Sequence, residues 1–148
     1  MTALYKLTDE KDRTYGGTQW GPNVSHSGTG EGELCGPGWI HAYTDSLLAV
    51  LLNPLHAAFT NPHLWRAEGE VVKTDNGLKV GCLALTTVER VEMPEVTTVQ
   101  RIAFGILCAR QVYNGAEWKA WANNWLSGKD RSKIAAYAAY AAYAAADT

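Results

Sequence analysis

The sequence predicts an α+β fold: a small, mostly antiparallel sheet with one inserted helix, followed by three C-terminal helices ending in an Ala/Tyr-rich helix. Three observations carry this. Up to Met93, short apolar–polar alternating runs are punctuated by Gly, Pro and Asn turn signals, the pattern of strands. Asp75-Asn76-Gly77 lies between two such runs and marks a hairpin. After Pro94 the spacing becomes helical, opened by a capping box in which Thr97 and Gln100 each satisfy an orphan amide.

The elements follow in order. Ala3 to Leu7 reads as a first strand, with Leu4 and Lys6 on one face and Tyr5 and Leu7 on the other. A charged turn, Thr8 to Arg13, leads into the stretch from Tyr15 to Tyr43, which holds more than half of the fourteen glycines. It is expected to begin as loop and to end as a strand over Trp39 to Tyr43, with Trp39, His41 and Tyr43 on one face. Thr44 or Asp45 caps a helix over Ser46 to Leu52, ended or interrupted by Asn53-Pro54. Leu64 to Val72 alternates as a strand, Leu78 to Leu85 returns as its hairpin partner, and Val88 to Met93 forms a further strand. Beyond the capping box a helix runs through Ile102, Ile106, Ala109 and Tyr113 to a stop at Asn114-Gly115. A third helix stripes Trp118, Trp121, Ala122 and Trp125 and closes at Gly128, and Asp130 caps a fourth. We expect residues 1–128 to form one domain and 129–148 a helix that serves as an oligomerisation element.

Composition narrows the function classes. A 148-residue chain of formal charge −2, 47% hydrophobic and 19% charged, fits a globular protein with a real core. Without a basic excess it is not expected to bind nucleic acid generally. No apolar run approaches the ~18 residues that cross a bilayer, and the polar start is not a secretory signal. Cys35, Cys82 and Cys108 are odd in number and widely spaced, which excludes a disulfide framework and a CxxC zinc site and points to the cytoplasm.

Most of the chemistry-bearing residues also fit plain structural roles. His26 falls in loop, His41 in a strand, and His56 and His63 in a connection, with no pair at helical ligand spacing, so no metal is expected. No nucleophile elbow or P-loop is present, and GTGEG at 28–32 lacks the lysine a phosphate loop requires. Glu68 and Glu70 share a strand face, as a solvated face also arranges them. What remains is a recognition signature. Arg13, Tyr15, Gln19, Trp20 and His26 offer donors and stacking surfaces along a loop rich in amides. Trp39, His41 and Tyr43 make a polar group between aromatic walls, and Arg66 supplies charge. Trp20 and Trp39 fit equally well as plugs beneath the loop. The tail repeats small, small, aromatic, so that Tyr137, Tyr140 and Tyr143 each step back by about 60° around the helix. Such a surface suits either a docked terminal helix or an oligomer contact.

The run TQWGPNVSHSGTGEGELCGPGWIHAYTDSLLAVLLNP, with LWRAEGEVV, FGILCARQVY and WLSGKDRS, resembles a group of small uncharacterised phage and prophage proteins. The resemblance implies a protein acting in the host cytoplasm, as blockers or sponges of host immunity do. A weaker similarity, through GWIHAYTDSLLAVLL, is to ADP-ribosyltransferase-like folds, which implies an enzyme using NAD. The expected function is a non-catalytic, oligomeric binding protein that sequesters a small polar or nucleotide-derived ligand without a cofactor. The alternatives are the NAD-using transferase and a protein-binding inhibitor of a host factor.

Overall fold

A computed structural model describes the backbone of residues 2–146 and the side chains of residues 2–141. The chain forms two compact units, residues 1–96 and 97–148, each with its own core. The boundary expected at 128/129 falls inside the second unit, where the last two helices pack on each other.

The first unit is built on a five-stranded antiparallel sheet. Strands β1 (Thr2–Thr8), β6 (His63–Thr74) and β7 (Val80–Val91) lie side by side, and β4 (Val24–Ser27) and β5 (Ile40–Ala42) both pair with β7. A single bridge between Tyr5 and Tyr43 returns β5 to β1, with reciprocal amide–carbonyl bonds of 2.8 and 2.9 Å. The pairings therefore close into a ring: β1, β6, β7, β5 and back to β1. Leu4, Ala42, Ala67, Val80, Cys82 and Leu85 fill its core together with Trp20.

The short strands β2 (Arg13–Thr14) and β3 (Thr18–Gln19) pair around a 3-10 turn at Tyr15–Gly17. Helix α1 (Ser46–His56) lies against β1 and starts with Asp45 accepting the Leu47 amide.

Several boundaries differ from expectation for identifiable reasons. Pro54 does not end α1. It falls in the last turn, where the helix gives up only the one bond proline cannot donate and then closes with the Ala57 and Ala58 amides on the Asn53 carbonyl. The two strands expected over 78–93 are one strand, because Thr86 and Thr87 pair with β4, and the Thr87 hydroxyl donates to the Gly21 carbonyl at 2.7 Å. His26 is in strand β4 rather than in loop. The hairpin turn is as expected, with Asn76 and Gly77 at φ of 51° and 82°.

In the second unit, α2 (Thr98–Arg110) opens with the complete Thr97–Gln100 capping box and ends four residues before the expected stop at Asn114. Helix α3 (Ala116–Ser127) closes on left-handed Gly128, and Ile106 of α2 packs with Ala122 and Trp125 of α3. Helix α4 (Lys133–Ala146) takes its cap from Ser132, whose hydroxyl accepts the Ala135 amide, while Asp130 holds the Ser132 amide.

Candidate functional site

The first unit contains a cavity of about 420 Å³, within the size range of small-molecule sites. Its wall combines β1, the β2–β3 turn, β5, the end of α1 and Lys79, the residue before β7. Two lysines far apart in the sequence enter it, Lys6 and Lys79, only 9% and 8% exposed. Lysine is almost never buried this far without a paired carboxylate, and no Asp or Glu lines the cavity.

Lys6 stands on the inner face of β1, opposite Trp65 in register. Its Nζ donates to the His41 carbonyl at 2.6 Å and lies 5.1 Å from the Trp20 ring centroid. Burial lowers its pKa from 10.5 to about 8, against a smaller upward pull from the Cys82 thiol. Lys79 donates to the Cys35 sulfur at 3.3 Å, and the Asp75 carboxylate nearby is engaged with the Lys79 backbone amide.

The histidines of the site are neutral donors. Burial depresses His41, and the charges of Lys79 and Lys6 add to that against its bond to the Leu34 carbonyl. His56 is depressed by burial and by Lys79, with Asp75 opposing. Tyr43 is pushed up to about 12 by burial and then by Asp75, so its phenol donates to His56 Nδ1 at 2.6 Å. That leaves the His56 Nε2–H as the ring's donor. Asn53 fixes this wall by bonding both the amide and the carbonyl of Phe59.

Of the residues singled out from sequence, Tyr15, Trp20, Trp39, His41 and Tyr43 line the cavity. Tyr15 sits on the 3-10 turn, 98% exposed, as an open aromatic face at the rim. Trp20 is both core plug and wall, its indole N–H donating to the Thr14 hydroxyl.

Arg13, Gln19, His26 and Arg66 lie elsewhere. Arg13 faces Asp9, Gln19 turns back onto the carbonyls of Lys11, Asp12 and Trp20, and His26 binds the Gln19 carbonyl edge-on to Trp20. Arg66 bridges Glu68 on its own strand and Glu89 across on β7, at 3.1 and 2.9 Å, an ordinary surface ion set. Lys6, Lys79 and His56 were missed. A lysine in an alternating strand reads as solvent-facing, and only the ring closure turns Lys6 inward.

The glycine-rich stretch also serves differently from expectation. Its amides at Gly28, Gly30 and Gly36 bond to the carbonyls of Leu83, Gly38 and Glu33, not toward an anion. A Cβ at Gly38 would fall 2.0 Å from the Glu31 carbonyl oxygen and one at Gly28 2.2 Å from that of Gly38, so the glycines permit two backbone segments to touch. The loop is pinned from outside by the Trp39 indole and the Lys73 ammonium, both donating to the Gly32 carbonyl. Among the described residues no cluster of His, Cys, Asp or Glu could hold a metal, and no helix is long and apolar enough to cross a membrane.

The fold and site thus define an α+β protein with a basic, aromatic-walled cavity. Family models, curated proteins and solved structures were all compared with this chain, and none matches it.

Proposed function

We propose that the protein is a non-catalytic binder that sequesters a small planar anion of nucleotide type in this cavity. The observation that carries the reading is the pair of nearly buried lysines, Lys6 and Lys79, facing an aromatic cavity whose lining has no carboxylate. The chain as a whole is slightly acidic, so this is a local concentration of positive charge. Trp39, Tyr43, Phe59 and the exposed Tyr15 supply surfaces on which a base can stack. In biological form this is a counter-defence protein in the host cytoplasm that withholds a nucleotide-derived immune signal.

The test is calorimetric titration with cyclic mono- and dinucleotides, ADP-ribose and NAD, each against its uncharged nucleoside. At least one anion is expected to bind ten-fold or more tighter than its nucleoside, a gap of about 1.4 kcal/mol. Lys79→Met is expected to weaken it by about ten- to a hundred-fold, as loss of a charged hydrogen bond does. Ligand recovered unchanged after heat release distinguishes capture from turnover. Failure of every anion to bind at millimolar concentration overturns the reading.

The tail supports a second copy of the chain as a partner. Tyr137 and Tyr140 are 72% and 68% exposed beside Ile134, an apolar surface in need of cover. The Tyr143 side chain lies outside the described residues. Changing all three tyrosines to alanine is expected to lower the mass seen by light scattering, and an unchanged mass removes the assembly role.

A further inference from the structure

Lys6 has properties that anion binding alone does not use. It is a primary amine at a cavity wall with no carboxylate partner, its Nζ anchored by one hydrogen bond to the His41 carbonyl. One face of its surroundings is the Trp20 ring, and Cys82, on the same inner surface, is fully buried. Across the same cavity stand Lys79 and the hydrogen-bonded Tyr43–His56 pair, a second cationic group and a phenol proton donor. A lysine needed only for its charge serves well at a solvated rim. One held against an indole face, in a cavity that also receives Lys79, has the environment of an amine nucleophile.

We propose that Lys6 captures an aldehyde-bearing anion reversibly, its Nζ condensing with the carbonyl carbon while Lys79 holds the phosphate or carboxylate. In this step the amine lone pair attacks the carbonyl carbon to give a carbinolamine. The carbonyl oxygen then leaves as water, taking both amine protons, and a C=N bond replaces C=O. No oxidant or reductant enters. Hydrolysis by the reverse path returns the aldehyde intact, so covalent capture remains sequestration. The lowered pKa of Lys6 supports the step: at pH 7 its neutral fraction exceeds that of an ordinary lysine by roughly 300-fold. The inference rests on the anion-binding reading of the cavity.

The probes are pyridoxal 5′-phosphate, an aldehyde with a phosphate, and 4-deoxypyridoxine 5′-phosphate, which carries a methyl group in place of the aldehyde. A short pulse of the aldehyde on the full chain, followed by borohydride and peptide mapping, locates the amine that reacts. We expect the first adduct at Lys6, at least ten-fold ahead of Lys11, Lys73 or Lys129, and suppressed about ten-fold by the deoxy compound. If the deoxy compound binds but the adduct falls on Lys79 or spreads over the surface lysines, the Lys6 chemistry is overturned and the anion site stands. If neither the deoxy compound nor any nucleotide binds, the anion site itself is wrong, and covalent capture falls with it. The wild-type map decides between these outcomes without a variant. Lys6→Arg, which keeps a cation but forms no imine, is expected to lose the adduct at this position, and an adduct yield unchanged from wild type overturns the Lys6 chemistry.

Discussion

Lys6→Met is expected to make the protein more stable and a poorer binder. At pH 7 the wild type keeps most Lys6 side chains charged in a buried site. The shift from 10.5 to about 8 corresponds to about 3 kcal/mol of cost relative to an unfolded chain. Methionine removes that cost but forfeits the bond to the His41 carbonyl and the contact with the Trp20 face, together about 1–2 kcal/mol. The net gain is about 1–2 kcal/mol, read as a higher urea midpoint at pH 7.

The sign with pH follows from linkage. Between about 8 and 10.5 the folded chain has released the Lys6 proton while the unfolded chain still holds it. Wild-type stability therefore rises with pH across that window, while Lys6→Met lacks the rise. A variant less stable than wild type at pH 7 would show that Lys6 stabilises the fold, and its role as a functional liability would be lost.

Asp12→Ala is expected to be the most damaging single change, costing about 3–4 kcal/mol. One oxygen of its carboxylate accepts from His63 Nδ1 at 2.8 Å and Trp65 Nε1 at 3.1 Å, and the other from Arg90 at 2.7 Å. Alanine leaves the buried indole N–H of Trp65 without an acceptor, a loss of about 1–3 kcal/mol. Asp12 also sits at φ 59°, where alanine adds about 1 kcal/mol.

Burial pushes the Asp12 carboxyl up, but the His63 and Trp65 bonds and the Arg90 charge outweigh it, leaving its pKa below the ordinary 3.8. Its stabilising share is thus full above about pH 4 and fades as pH falls through the lowered value. Asp12→Asn, which tolerates the left-handed backbone, is expected to cost less at pH 7, with the gap to wild type narrowing in acid. Chemical denaturation across pH 3 to 7 measures both variants. A cost for Asp12→Ala under 1 kcal/mol would mean that the cluster does not hold the β1–β2 turn to β6.

Local signals were legible where they are self-contained. Thr97 with Gln100, Asn76-Gly77 and Gly128 each define a helix start, a turn and a helix stop through bonds within a few residues. The α+β class followed from such signals together with strand and helix periods. Features that depend on distant pairing were not legible. Strand β4 is four residues of mixed character, and it exists because β7 offers Ala84–Thr87 as a partner. Lys6 shared the apolar face of Leu4 in the alternation, yet nothing local says which face closes inward. Arg66, in an equally alternating run, turned out to face its glutamates. The aromatic half of the site was visible as the Trp39–Tyr43 period. Its cationic half was not, because Lys6 and Lys79 are brought together only by tertiary closure.

The Tyr5–Tyr43 bridge has a thermodynamic consequence. Each element of the binding wall comes from a distant part of the chain, and the last pairing joins residues 38 apart. The lining spans residues 6 to 79, so an occupant of the cavity would recognise only the closed first unit. A ligand at a hundred times its dissociation constant would then stabilise the native state by about 2.7 kcal/mol. That exceeds the net gain of about 1–2 kcal/mol expected when methionine replaces Lys6, so an occupied wild type would be at least as stable as the empty Lys6→Met variant.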